Sequence, residues 1–277
     1  MSGQLSLRAE RAEAIIDPAA GGRIAALRVD DLDLLRTSGP RPTAWGSFAM
    51  APWAGRLRNG LLNWNGGEHH FPTDMAPPDA LHGLAVWRAW EVVEATENRA
   101  VLAIDLNAPW PFGGRVFQTI GLEASRLTVE LRIDAGDRPM PVIAGWHPWF
   151  VRVLTDRSGS AVGGPLELDL HAGGMLVRGP ARLPTGEVVR SIPAGPWDDC
   201  FFELESAPVV RWPGVLEARV ESEAPFWVIY TEPADYVCVQ PQSGPPNGLN
   251  TGPYAVAAPG APFQLSMTIA WKRLGSG

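Results

Sequence analysis

The chain has 277 residues, 45% of them hydrophobic and only 19% charged, with a net charge of −7. That is enough apolar material for a sizeable core, too few charges for a coiled coil or a disordered acidic tail, and the wrong sign for a nucleic-acid footprint. A single lysine, Lys272, leaves no Gly-x-x-x-x-Gly-Lys phosphate loop and no interior amine for Schiff-base chemistry.

The 30 glycines and 27 prolines are spread as punctuation between short apolar runs, as many strands joined by turns require. In chain order, strands are predicted at 5–9, 12–16 and 23–29, then at 87–93, 100–106, 115–122, 126–133 and 142–146. Later ones follow at 166–170, 209–212, 216–222, 226–230, 237–240 and 263–271. The clearest is the run from Arg126 to Asp134, where Leu127, Val129, Leu131 and Ile133 share one face. No window carries a sustained 3.6-residue stripe, and no linker or composition shift divides the chain. The expectation is an all-β protein forming one domain over residues 1–277. Segments 39–52, 71–83 and 244–260 break the strand rhythm, and long ordered loops on a rigid scaffold are where sites concentrate.

Neither Gly-x-Gly-x-x-Gly nor Gly-x-Ser-x-Gly occurs, which removes the usual signatures of dinucleotide binding and of a nucleophile elbow. Cys200 and Cys238 are far apart, without a Cys-x-x-Cys pair, so neither a disulfide scaffold nor a structural zinc site is expected. No basic start leads into an apolar segment, and no apolar run approaches 18 residues. A cytoplasmic protein without a signal peptide or membrane span is expected.

Five histidines can be weighed singly. Adjacent His69 and His70 would point to opposite faces of a strand, and a surface position is expected for both. His171, two residues from Asp169, reads as part of an exposed polar face. His82 ends the proline-rich loop in Asp79-Ala80-Leu81-His82-Gly83. His147 lies in Gly145-Trp146-His147-Pro148-Trp149-Phe150, where Pro148 is expected to end the strand and leave the imidazole at a mouth. Twelve tryptophans against three tyrosines supply flat apolar faces suited to a sugar ring, and Trp146 and Trp149 flank His147. Arg56 and Arg58 would share a strand face and could grip hydroxyls or a carboxylate.

Taken in order, the motifs Gly21-Gly22, Pro52-Trp53-Ala54-Gly55-Arg56, Leu81-His82-Gly83, His147-Pro148-Trp149-Phe150, Trp197-Asp198-Asp199-Cys200-Phe201 and Val237-Cys238-Val239-Gln240-Pro241-Gln242 resemble those of the aldose 1-epimerases, or galactose mutarotases. The resemblance covers most of the chain. It implies a galactose mutarotase-like β-supersandwich holding a monosaccharide in an open cleft, as a monomer or homodimer, with no metal or organic cofactor. It implies interconversion of α and β anomers by acid–base ring opening. His147 matches the general acid and His82 the second histidine, which orients the substrate. Arg56, Asp198, Trp146 and Trp149 are the expected sugar-binding residues.

One position departs from the pattern: Gln240 stands where the family has its glutamate base. An amide can hydrogen-bond the C1 hydroxyl but cannot take its proton as a carboxylate does, and one such group contributes roughly 10²–10⁴-fold. Glu232, Asp235 and Asp198 are the candidate substitutes. Two alternatives stand beside the isomerase: a catalytically silent sugar-binding or sensing domain, and a hexose-6-phosphate epimerase using Arg56, Arg58 and Arg88.

Overall fold

The alternation that the sequence shows along its apolar runs is resolved by two antiparallel sheets packed face to face in a computed structural model, which describes residues 3–156 and 158–275. The larger sheet has the order Leu5–Ala9, Ala12–Asp17, Arg23–Val29, Ser47–Met50, Gly145–Val151, Tyr236–Gln242, Phe226–Tyr230, Asp198–Leu204, Ala172–Arg178, Pro184–Val189, with Leu32–Asp33 attached to the third strand. The smaller runs Glu91–Ala95, Arg99–Asp105, Arg115–Glu123, Arg126–Asp134, Phe263–Arg273, Leu216–Ser222, Val209–Trp212, Glu167–Asp169. Among the described residues, helix is confined to one short turn, Gly248–Thr251, and two 3₁₀ turns. None is long and apolar enough to cross a membrane.

The two sheets solve burial differently. On the smaller sheet, Leu127, Val129, Leu131 and Ile133 are buried while Glu130 and Arg132 face solvent. Each such apolar side chain contributes roughly 1.5–3 kcal/mol on burial. Central strands of the larger sheet are buried on both faces: Ser47–Met50 throughout, and Gly145–Val151 up to its last residue. One face meets the smaller sheet and the other lies beneath loops. Period-two alternation therefore decides which residues belong to the core and which to the covered outer face.

Several expected elements shift. Trp87 lies in a 3₁₀ turn, and the strand there is Glu91–Ala95. The predicted 142–146 strand divides into Met140–Val142 and Gly145–Val151. Pro148 does not end the latter. It pairs with Ser47 on one side, while on the other the pairing with Tyr236–Gln242 lapses between Gly145↔Gln242 and Trp149↔Cys238. Two prolines without N–H groups, Pro148 and Pro241, sit in that gap; neither can donate to the ladder, and the pairing lapses there while Ser47 keeps the strand in the sheet. At Gly145 a Cβ would lie 2.1 Å from the Pro241 carbonyl oxygen, which only glycine allows.

A buried amide fastens the sheets together. Gln118 of Arg115–Glu123 donates to the Gly22 carbonyl at 2.7 Å and accepts from Trp146 Nε1 at 3.1 Å. Gln118 is 1% exposed and Trp146 fully buried. Replacing Gln118 with leucine strands one buried donor and one buried acceptor. The variant should lose about 2–4 kcal/mol of stability, read as a lower urea midpoint at unchanged m-value; a loss below 1 kcal/mol would show the bridge to be incidental.

Candidate functional site

The outer face of the larger sheet floors a cleft of about 440 Å³. Its floor follows from strand parity: His147 and Trp149, Gln240 and Gln242, Val228 and Tyr230, and Asp198 and Cys200 all lie at alternate positions of adjacent strands and line it. Loops add Arg56 and His82 on one side and Arg36 and Arg41 on another. Six sequence-derived site residues, His82, His147, Gln240, Arg56, Trp149 and Asp198, thus border one cavity.

Trp146 does not join them. Successive strand residues face opposite sides, so with His147 and Trp149 in the cleft, Trp146 must face the other sheet, where it bonds Gln118. The expectation that both indoles face the cleft is corrected: Trp149 alone of the two lines it. The arginines also rearrange. Arg58 begins a 3₁₀ turn outside the cleft lining. Arg88 donates to the carbonyls of Asp105, Asn107 and Ala108, away from the cleft. Arg56 alone of the three lines it, held by the Ala76 carbonyl at 3.3 Å and the buried Asp79 at 3.5 Å. Among the other histidines, His70 is exposed and bonds Glu68, half-buried His69 packs edge-on against Phe112, and His171 pairs with Asp169 on the surface.

His82 and His147 meet at right angles with ring centroids 5.1 Å apart. Phe48, paired with His147 in the sheet, stacks on that ring at 4.9 Å and touches His82 edge-on at 5.7 Å. His82 reaches this position from a left-handed backbone (φ 58°), pinned by its N–H to the Gly55 carbonyl at 2.9 Å. Gly83 follows with φ 72°, and its own Cβ would strike the Ala51 oxygen at 2.2 Å; the turn is built for glycine. The Nδ1 atoms of both imidazoles are buried without a partner, leaving Nε2 as the nitrogen each can offer a ligand.

Burial, and then the Arg56 charge, pushes His82 down from its ordinary range to about 3. Burial, with His82 beside it, holds His147 well below the usual imidazole value. Both rings are therefore uncharged at neutral pH. Gln240 is 3% exposed, and its Oε1 accepts from Gln242 across a long 3.4 Å. Across the cleft, burial raises the Asp198 carboxyl, opposed by Arg178 at 2.5 Å and by Arg182 at 3.8 Å.

Of the candidate replacement bases, Glu232 is bound to Arg178 at 3.1 Å and does not line the cleft. Asp198 lines it, but registers with Tyr230, which registers with Cys238 on the strand of Gln240. That places Asp198 two strand spacings, about 10 Å, to the side. Asp235 lines the cleft near its Tyr236 end. Sequence reading missed Phe48, Arg36, Arg41, Arg178, Tyr230 and Tyr236. Only parity along the strands could have flagged Tyr230 and Tyr236.

The imidazoles tie stability to pH. An unfolded His82 takes up its proton near 6.5 and the folded one resists until about 3, so between these values unfolding consumes protons and acid favours the unfolded chain. Denaturation at pH 6 and at pH 5 should show a loss of about 1 kcal/mol from His82 alone, reduced by that amount in His82→Gln. An equal loss in the variant would mean that other groups carry the whole effect.

A model of the aldose 1-epimerase family matches residues 3–267. Over 120 residues the chain is 28% identical to the uncharacterized protein YihR of Escherichia coli K12, a stretch covering 41% of this chain and 39% of that protein. Among solved structures, a GalM/aldose epimerase homologue from Caenorhabditis elegans matches with a TM-score of 0.82 at 16% identity, covering 99% of this chain and 100% of that one. A galactose mutarotase-like protein from Clostridium acetobutylicum matches at 0.81 and 16%, covering 97% and 95%. Identities this low speak for a shared two-sheet fold. With the family model spanning nearly its whole length, the chain belongs to the aldose 1-epimerase family.

Proposed function

We propose that the protein is an aldose 1-epimerase-like isomerase that interconverts sugar anomers by ring opening, with Gln240 in place of the usual glutamate base. The observation that carries this reading is the pair of contacting imidazoles, His82 and His147, on the floor of a sugar-sized cleft walled by Arg56, Trp149 and Asp198.

In this reading the pyranose lies over Trp149 with its ring oxygen toward His147. His147 in its protonated form delivers a proton to the ring oxygen, the C1–O5 bond breaks, and rotation about C1–C2 precedes closure on the other face. The Gln240 amide hydrogen-bonds the C1 hydroxyl without removing its proton. His82, uncharged and adjacent, is the group able to accept that proton, since Asp198 stands about 10 Å aside. Asp198 and Arg56 bind the remaining hydroxyls. The arrangement also supports a second reading, a catalytically silent sugar-binding domain, because the cleft's other hydrogen-bonding groups survive loss of the carboxylate.

Proton NMR of freshly dissolved α-anomers separates these readings. Exchange above buffer that disappears in His147→Ala supports the isomerase. Because His147 must be protonated to act and its pKa is lowered, kcat/KM should climb as pH falls from 8 to 6, by up to roughly tenfold per unit. Gln240→Glu restores a base and an anion that favours the imidazolium, so its rate should exceed wild type by about 10²-fold or more and its optimum should move up. A silent wild type with an active Gln240→Glu makes the protein a binder; silence in all variants, with every aldose tried, overturns the epimerase assignment.

A further inference from the structure

The charges of the cleft are unevenly matched. Five arginines and three aspartates line it, in a chain whose net charge is −7. Arg178 is satisfied by Asp198, Asp199 and Glu232, Arg182 lies near Asp198, and Arg56 is held by Asp79. Arg36 and Arg41 have no such partner: among the described residues neither forms an ion pair or a side-chain hydrogen bond, and Asp235, which lines the same cleft, pairs with neither.

Their placement is specific. The Arg36 guanidinium lies over the Tyr236 ring, 4.1 Å from its centroid, with Nε buried and unpartnered. Tyr236 in turn contacts Trp149 at 6.2 Å, and Trp149 stacks on His147 at 5.1 Å with planes 11° apart. A row therefore runs from the imidazole pair, over the indole and the phenol ring, to an uncompensated cation. The wall carrying Arg41 is anchored by Arg23, which is fully buried and donates to the carbonyls of Ala20, Pro42 and Trp45. Of the nine buried side-chain polar atoms without partners among the described residues, five belong to residues of this cleft: Arg36, His82, His147, Trp149 and Gln242. A neutral hexose offers hydroxyls to such donors, but leaves a half-buried guanidinium without a counter-charge, which costs more in a cleft than in open water.

We propose that the cleft takes an aldose bearing an anionic group at the end of the molecule remote from C1, with the anomeric carbon at His82 and His147 and the anion bound by Arg36, assisted by Arg41. The inference rests on the epimerase reading for the orientation of the sugar. The shared chemistry is a carboxylate or a phosphate at C6: a guanidinium fork accepts either in bidentate fashion, and Tyr236 fixes the plane of the fork.

The test compares glucose, glucuronate and glucose 6-phosphate, each by calorimetric titration and by NMR anomer exchange, on wild type, Arg36→Gln, Arg36→Lys and Arg41→Gln. At low salt at least one anionic sugar should outbind glucose by roughly tenfold or more, as expected of hydrogen bonds to charged groups. Added salt should shrink that ratio. Arg36→Gln should abolish it, Arg36→Lys should retain part of it, and Arg41→Gln should reduce it less; the glucuronate and phosphate arms tell which anion the site prefers. Anionic sugars that bind selectively but do not exchange would keep this inference and remove the epimerase reading. Glucose exchanged and bound as well as either anion would keep the epimerase reading and overturn the inference. A preference unchanged in Arg36→Gln would overturn it as well, and so would binding of none of the three.

Discussion

The constraint on which both core and cleft depend is the period-two alternation of Gly145–Val151, the strand held between Ser47–Met50 and Tyr236–Gln242 in the middle of the larger sheet. A strand in that position has no free side. Trp146 and Phe150 must fill the space against the smaller sheet, and His147 and Trp149 must occupy the opposite face. A one-residue slip would exchange the two sets, placing an imidazole in the core and an unpaired indole in the cleft. The Gln118 amide opposes such a slip by accepting the hydrogen bond of the Trp146 indole N–H. Gly145 permits the close approach of Pro241 that sets the spacing to the next strand. Chemistry and folding are thus written into the same seven residues.

Among the described residues, no carboxylate lining the cleft pairs with either of its two desolvated histidines. Burial alone disfavours the imidazolium, and with Phe48 beneath both rings and Arg56 nearby, nothing at that end of the cleft offsets it. The carboxylates collect instead around Arg178, on the far strands of the sheet. The two ends of the cavity consequently differ in character, one holding two uncharged imidazoles beside Arg56, the other a cross-braced set of ions.

Much of this was legible beforehand. Apolar alternation located most strands, and ordered motifs marked His82, His147, Arg56, Asp198 and Gln240 as members of one site. Trp146, next to His147 in sequence, faces the opposite side of the sheet because the strand alternates, so adjacency in sequence does not carry it into the cleft. Pro148 does not end its strand because pairing with Ser47–Met50 continues through it, so the gap that its missing N–H leaves on the Tyr236–Gln242 side is tolerated. Arg36 and Arg178 could not be seen at all: one reaches the cleft from a loop and the other through strand order, and the order of ten strands across a sheet is set by long-range packing rather than by local composition. Strands such as Ala172–Arg178 and Asp198–Leu204, interrupted by glycines or acids, hide from periodicity for the same reason.

Arg23 is a fully buried cation whose guanidinium, among the described residues, hydrogen-bonds to three peptide carbonyls and is flanked by the Trp45 and Phe48 rings; desolvation lowers its pKa to about 10 without neutralising it near pH 7. Backbone dipoles do not titrate and are poorly screened when buried, so this anchor holds its grip across changes of pH and ionic strength that would loosen a surface ion pair. The loop from Pro40 to Trp45 is consequently in place before any ligand arrives. A sugar entering the cleft meets a wall whose conformational entropy was surrendered during folding, and more of its contact energy survives as affinity.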